Sequence, residues 1–200
     1  RHLNNMPDLI VHYIEEINRK AERKTKKEYP NIVKHAKCIA WKCVEEHYQP
    51  RSVRRKVVAE ALWRREAVQG HIDYFENHLH LIKSDITNEY IRFTLDPVAE
   101  YLAGLHLVED IFQENEALWR DFLVKIANQG GNLEKIRGFL IALRDCCVTK
   151  GAEIGVPPFV ADDLGRLADI DIEALRKEQR RQSLRRYIGN LHSKDMTKRI

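Results

Sequence analysis

Apolar residues recur along most of the chain at steps of three and four, the spacing that predicts amphipathic α-helices. The first such segment opens at Pro7, a residue that suits the first turn of a helix. The predicted inner face of this helix contains Leu9, Ile10, Tyr13, Ile14 and Ile17. A second helix is predicted between Pro30 and Pro50. Ser52 is the predicted N-cap of a short third helix, and a fourth is predicted over residues 68–79.

The period changes between Leu81 and Thr94, where an extended piece, a polar turn and an alternating segment predict a β-hairpin. Three helices followed by a two-stranded ribbon are typical of a winged helix. Asp96 is the predicted N-cap of the next helix, with Pro97 at its first position. Gly104 interrupts the apolar stripe of that helix, which favours a close contact with another helix over the alternative of a functional hinge.

Four further helices and one linker are predicted after this point. Two helices precede the linker, which is the segment 151–158, and a short helix and then a charged terminal helix follow it. The whole pattern predicts a mainly α fold, a helical bundle with an embedded winged-helix subdomain that holds one β-hairpin. The predicted divisions are a helical subdomain at 1–63, a winged helix at 64–113, and a C-terminal helical region with a basic tail at 114–200.

Composition places the chain among globular proteins, with 44% hydrophobic and 32% charged residues. No apolar run approaches the roughly 18 residues of a membrane span, and no signal-peptide pattern is present, so we expect no membrane partner and a cytoplasmic location. The four cysteines form no CxxC pair and are expected to be reduced core thiols. Because the chain begins with Arg1, we expect it to be a fragment of a longer polypeptide.

Positive charge is concentrated at the C-terminus. Residues 173–200 carry a net charge of +6, whereas the whole chain carries +4. The arginines that could bind a partner are Arg176, Arg180, Arg181, Arg185 and Arg186. Ordinary solvation, a protein contact and nucleic-acid binding all remain open as explanations of this tail.

Motifs of catalysis and metal binding are missing from the sequence. It contains no HExxH, no GxSxG and no GxxxxGK[ST] phosphate loop. His71 and His78 lie two helical turns apart, but no further ligand is spaced to complete a metal set. We therefore expect no catalytic residues and no metal site in this chain, and the hypothesis of a small enzyme has no supporting constellation.

One segment resembles a known family. Residues 90–109 read YIRFTLDPVAEYLAGLHLVE, and this segment resembles the winged-helix part of STAND NTPases of the NACHT branch. Residues 6–19 are similar to the preceding helix of bacterial, cyanobacterial-type members, and the resemblance covers residues 6–109. The motif and candidate interdomain residues are Arg92, Phe93, Asp96, Glu100 and Tyr101. An N-cap role for Asp96, a surface role for Glu100 and a core role for Tyr101 remain open alternatives.

The resemblance implies a non-catalytic regulatory fragment of a signalling ATPase. Such a fragment packs on the upstream nucleotide-binding domain, controls a nucleotide-dependent switch and self-assembles when activated. ATP or ADP with Mg²⁺ belongs to the parent protein, and no cofactor is expected in this fragment. Leu95 stands where many relatives carry a histidine that reaches the nucleotide phosphates, and an aliphatic side chain cannot donate that hydrogen bond.

A winged-helix nucleic-acid-binding module is the alternative. The helix in the recognition position carries Asp73 and Glu76 without any lysine or arginine, which counts against base readout. The basic tail counts in favour of nucleic-acid binding.

Overall fold

Helices dominate the residues that the computed structural model describes, which are 5–26, 28–63, 70–128 and 133–169. The mainly α fold class is thereby confirmed. The helices are α1 (Met6–Thr25), α2 (Ile32–Val44), α3 (Arg55–Trp63), α4 (His71–Asn77), α5 (Asp96–His106), α6 (Glu116–Ala127), α7 (Leu133–Ile154) and α8 (Phe159–Leu167). A π-helical segment, Leu107–Phe112, continues α5. The strands are β1 (Val53–Arg54), β2 (Ile82–Ser84) and β3 (Tyr90–Phe93).

The first helix begins at a side-chain cap. The Asn5 carboxamide oxygen accepts a hydrogen bond from the Asp8 backbone N–H at 2.9 Å, which satisfies one of the unpaired donors of the first turn. The buried residues of α1 are Pro7, Ile10, Ile14, Asn18 and Ala21. Leu9 and Tyr13 were predicted to face inward and are instead 45% and 47% exposed. The buried stripe is therefore rotated away from these two residues and includes a polar one.

The three strands form one antiparallel sheet in the order β1-β3-β2. The predicted hairpin is confirmed as β2 and β3, in which Lys83 lies opposite Arg92. The prediction that a helix starts after Ser52 is wrong, because Val53 and Arg54 pair with β3 and the helix starts only at Arg55. Strand pairing engages the backbone groups that a helical turn would otherwise use.

Arg55 ties the sheet to α4. Its guanidinium donates to Ser84 Oγ and Asn88 Oδ1, each at 3.2 Å, and forms ion pairs with Asp73 and Glu76. Glu76 in turn accepts a hydrogen bond from the Ser84 backbone N–H at 2.7 Å. The acidic residues of α4 are therefore partners of an arginine on α3.

The core lies where α5 packs between α2 and α7. Among its largest fully buried side chains are Trp119, Phe139, Ile39, Leu102 and Leu105. The Trp119 indole N–H donates to the Gln113 carbonyl at 2.9 Å, so this large ring is buried with its polar atom satisfied.

All of these elements lie in one compact unit, which ends at Ala168. Pairing of β1 with β3 crosses the predicted boundary between residues 63 and 64. The predicted linker at 151–158 is too long, because α7 continues to Ile154. The basic tail and its five candidate arginines lie outside the described residues.

Candidate interdomain site at the start of α5

The connection between β3 and α5 is held by one buried ring and one threonine. Phe93 is 1% exposed and anchors the end of β3 in the core. Thr94 donates its backbone N–H to the Leu81 carbonyl at 2.9 Å and its hydroxyl to the His80 carbonyl at 3.0 Å. This tether positions the residues that follow it at the surface.

The predicted N-cap role of Asp96 is wrong. Leu95 occupies the N-cap position with extended backbone angles and makes no side-chain cap hydrogen bond, and Asp96 is the first helical residue. Leu95 is 60% exposed. Negative charge in the first turn of a helix is favoured by the helix dipole, so Asp96 suits its position without capping the helix. The start of α5 therefore presents an exposed leucine beside an exposed carboxylate.

Glu100 lies one turn further along α5 and is only partly exposed. Its carboxylate lies so close to Gly138 of α7 that a Cβ on this glycine would be 2.5 Å from Glu100 Oε1. Burial, with a smaller contribution from the charge of Asp96, raises the pKa of Glu100 to about 7. Glu100 is thus neither a fully exposed surface charge nor a fully buried core residue. Its carboxyl group can gain or lose a proton near neutral pH.

Tyr101 joins α5 to α7 through its hydroxyl group. The phenol donates to Asp145 Oδ2 at 2.8 Å. Burial and this hydrogen bond both raise the pKa of Tyr101 above its ordinary value. The aromatic ring is therefore part of a specific polar contact between two helices.

Gly104 completes the contact, as its position in the apolar stripe predicted. A Cβ on Gly104 would lie 3.1 Å from Cys146 Sγ and 3.2 Å from Leu143 Cα, so the two helix backbones approach closely here. We call the three contacts Glu100–Gly138, Tyr101–Asp145 and Gly104–Leu143 the α5–α7 joint. Only small side chains let helices approach in this way, and the joint spans about two turns of α7.

The comparison with known families concerns the helices on the α7 side of this joint. Residues 128–172 match the family model of NACHT C-terminal Helical domain 4. The match supports a NACHT-family C-terminal helical part. It lies beyond residues 6–109, the part of the chain on which the sequence resemblance rested, and so supports the same family from different residues. No curated protein and no solved structure matches the chain.

Within the described residues, the NACHT match consists of α7 and α8. The Arg137 guanidinium donates to the Ala168 carbonyl at 2.9 Å, which fastens the end of α8 to α7. Gly155 adopts a positive φ of 85°, a left-handed conformation that glycine adopts readily, and ends α7 before the turn into α8. A C-terminal helical domain of this type is not the catalytic module of a NACHT protein.

A second polar cluster connects α2 to the end of α5 and to the π-helical segment, and it was not predicted from the sequence. The Lys37 ammonium is 7% exposed and lies 2.7 Å from Glu109 Oε2 and 2.8 Å from Asp110 Oδ2. The His106 side chain is 1% exposed and places Nδ1 2.7 Å from the same Asp110 oxygen. Burial alone raises the pKa of Asp110, but the hydrogen bonds of His106 and Lys37 outweigh it and lower the pKa to about 2.

This cluster lies on the π-helical segment, where the helix holds an extra residue per turn. The spacing of four between His106 and Asp110 was visible in the sequence as a possible side-chain pair. Lys37 carried no such signal, because its partners lie 72 residues away along the chain.

The predicted motif residues do not form one cluster. Asp96, Glu100 and Tyr101 share α5, whereas Phe93 is in the core and Arg92 is exposed on the sheet. The four cysteines are buried free thiols, and burial raises the pKa of Cys43 and Cys147 to about 12 each. In the described ranges, no group of three or more His, Cys, Asp or Glu side chains could hold a metal ion.

No helix in the described part of the chain is long and apolar enough to span a bilayer.

Proposed function

We propose that this chain is the non-catalytic regulatory part of a NACHT NTPase, which packs on the upstream nucleotide-binding domain and controls a nucleotide-dependent switch and self-assembly. The observation that carries the proposal is the α5–α7 joint. It links the motif helix to the segment that matches NACHT C-terminal Helical domain 4. Two tightly packed helices move together, so a contact at the start of α5 is transmitted to α7.

The contact surface in this proposal is the exposed start of α5. Leu95 supplies apolar area and Asp96 supplies a charge, a combination suited to a domain interface that forms and dissociates. Because Leu95 cannot donate a hydrogen bond to a phosphate, the switch here senses the nucleotide through domain contacts. ADP and ATP shift the equilibrium only as far as the two nucleotide states differ in their affinity for this surface.

The sheet region supports a winged helix as part of the proposal. The element order α2–β1–α3–α4–β2–β3 and the sheet order β1-β3-β2 are those of a winged helix. In this proposal the winged helix includes α2, β1 and α3 in addition to the part predicted to begin at residue 64. Its last strand leads directly into α5, so the regulatory unit consists of the winged helix, α5 and the NACHT-matched helices.

Binding of the 200-residue chain to the nucleotide-binding domain of its parent protein tests the proposal. Isothermal titration calorimetry with that domain loaded with ADP, and then with a non-hydrolysable ATP analogue, should give at least about tenfold tighter binding in ADP, a difference of roughly 1.4 kcal/mol. Leu95→Lys should weaken the ADP-state binding.

Val124→Lys on α6 is the matched control, because Val124 is 60% exposed, like Leu95. Equal affinity in both nucleotide states contradicts the switch. Equal losses in the two variants contradict the assignment of the surface to the start of α5.

A further inference from the structure

The outer face of the three-stranded sheet is strongly basic. Side chains alternate along a strand, so Tyr90 and Arg92 of β3 lie on the same face. Arg54 pairs with Tyr90 across β1, and Lys83 pairs with Arg92 across β2. The three cationic residues are exposed and Tyr90 is partly exposed. We call these four residues the outer sheet face.

The cations of the outer sheet face form no ion pair with any residue that the structure describes. The one polar contact among them runs from Arg54 Nε to the Tyr90 hydroxyl oxygen at 3.3 Å, which leaves the phenolic hydrogen available as a donor. Acidic side chains do lie nearby. Glu89 attracts Arg54 electrostatically, and Glu45 and Glu46 line the adjoining groove together with Arg54. None of them neutralises Lys83 or Arg92.

The pairing of Lys83 with Arg92 is unfavourable in the isolated chain. Like charges directly opposite each other on neighbouring strands repel and destabilise the sheet. An anion bound between them would remove this repulsion. The arrangement therefore points to a negatively charged partner.

The composition of the outer sheet face indicates which anion. Interfaces between proteins have an apolar centre, and this face contains no aliphatic side chain. Arginine, lysine and tyrosine are donors that commonly contact phosphate oxygens in nucleic acids. We propose that the outer sheet face binds the phosphate backbone of nucleic acid without reading its sequence. This activity goes beyond the regulatory function proposed above and does not depend on it.

The α4 helix explains why base sequence is not read. Its acidic residues Asp73 and Glu76 are engaged by Arg55 on the other side of the sheet. Contacts to phosphates position a protein on a duplex but carry no sequence information by themselves. Binding should therefore be similar for duplexes of different sequence and should weaken steeply with salt.

The test uses fluorescence anisotropy of the 200-residue chain with a labelled duplex of roughly 20 base pairs, a length that offers many phosphates in both grooves. The sheet variant combines Arg54→Gln, Lys83→Gln and Arg92→Gln. Each lost phosphate contact should lower the slope of log affinity against log salt by about 0.9. Between roughly 50 and 200 mM salt, the wild type should therefore lose about 40-fold more affinity than the sheet variant.

Two further variants distinguish the contribution of the outer sheet face from that of positive charge elsewhere in the chain. The α1 variant combines Lys20→Gln, Arg23→Gln and Lys24→Gln, which are exposed and form no ion pair among the described residues, so it removes the same charge elsewhere. It should retain the wild-type slope. The tail variant replaces Arg180, Arg181 and Arg185 with glutamine and measures the contribution of the basic tail.

Several outcomes would overturn the proposal. The first is equal slopes in the sheet and α1 variants, and the second is a loss of slope in the tail variant with none in the sheet variant. Failure of the wild type to bind at about 10 µM protein in 50 mM salt, weaker than ordinary non-specific binding, is the third. Tighter binding of poly-L-glutamate than of the duplex would assign the face to an acidic protein instead. Thermal unfolding of each variant checks that it is folded.

Discussion

The α5–α7 joint and the three-stranded sheet are held together by different means. In the joint, two glycines allow close approach, and one phenol donates a hydrogen bond across the helices. In the sheet, Arg55 binds four polar partners on one side, while the cations on the other side form no ion pair within the described residues. We therefore expect added side-chain volume to destabilise the α5–α7 joint, and altered charge to change the stability of the sheet. The NACHT-matched helices therefore depend on shape, and the outer sheet face carries charge that the fold itself does not need.

Added side-chain volume at the α5–α7 joint should have the largest effect on stability. Gly104→Leu places a side chain against the backbone of Leu143, which cannot move aside as a flexible side chain could. We expect the free energy of unfolding to fall by about 2–3 kcal/mol and the melting temperature by roughly 8 °C. Thermal and urea unfolding measure the two quantities.

Ala117→Leu on the exposed surface of α6 is the control and should change stability by less than about 0.5 kcal/mol. Similar values for the two variants would show that α5 and α7 are not closely packed at Gly104.

Removal of one hydrogen bond tests the polar part of the same joint. Tyr101→Phe leaves Asp145 Oδ2 without the phenol that donates to it at 2.8 Å. The free energy of unfolding should fall by about 1–2 kcal/mol, because a partly buried acceptor loses its partner. Tyr13→Phe, at a tyrosine that is 47% exposed, should have almost no effect on urea unfolding. An equally large loss of stability in Tyr13→Phe would contradict a specific contribution of the Tyr101–Asp145 hydrogen bond.

Glu100 should make the stability of the α5–α7 joint depend on pH. Its pKa is raised to about 7 in the folded chain, from an ordinary value of 4.5. The folded chain therefore holds a proton that the unfolded chain releases, so stability from this group is full below about pH 4.5 and is lost as pH rises through about 7.

Glu100→Gln should accordingly stabilise the chain at pH 8 by about 1 kcal/mol, a value reduced for partial exposure, and should have little effect at pH 4.5. Urea unfolding at both pH values measures this difference. The same substitution at the exposed Glu28 is the matched control for the loss of one carboxyl group. A destabilised Glu100→Gln variant at pH 8 would reverse the sign and contradict the burial of this carboxyl group.

The smallest expected effect is a gain in stability on the sheet. Lys83→Gln removes repulsion with Arg92 and should raise the free energy of unfolding by about 0.5 kcal/mol at low salt. The gain should shrink at about 1 M salt, where charges are screened within roughly 3 Å. Lys56→Gln, which removes a lysine 4.0 Å from Glu60, should instead lower stability slightly. A loss of stability in Lys83→Gln would mean that the charge is neutralised within the chain.

Local signals in the sequence predicted a large part of the fold. The helical periodicity and the hairpin depend on residues near one another in sequence, and the structure confirms them. The close helix contact at Gly104 is also confirmed, but the sequence indicated only the glycine and not its partners on α7. The β1 strand was missed because two residues show no periodicity and their partner strand is distant in sequence. The start of α5 was predicted one residue too late, with Asp96 as the N-cap instead of the first helical residue. Asp-Pro is common at helix starts in either register, so the sequence did not distinguish the two.

The candidate site was predictable in identity but not in geometry. The motif named Glu100 and Tyr101, yet only the packing of α7 shows that one lies against Gly138 and the other binds Asp145. Lys37 was missed for the same reason, since a lysine on a helix is usually solvated and its burial here depends on Glu109 and Asp110. The roles that remained hidden in the sequence are those set by contacts between distant segments.

The pairing of β1 with β3 also has a consequence for the order of events during synthesis. Val53 pairs with Ile91 and Arg54 with Tyr90, so β1 is synthesised well before its partner strand. At about 5–20 residues per second, translation of the intervening segment takes roughly 2–7 seconds. During this interval the 53–54 segment has no strand to pair with, and α3 begins next to it unsupported. The hairpin is the later element, and its arrival lets the nascent sheet close.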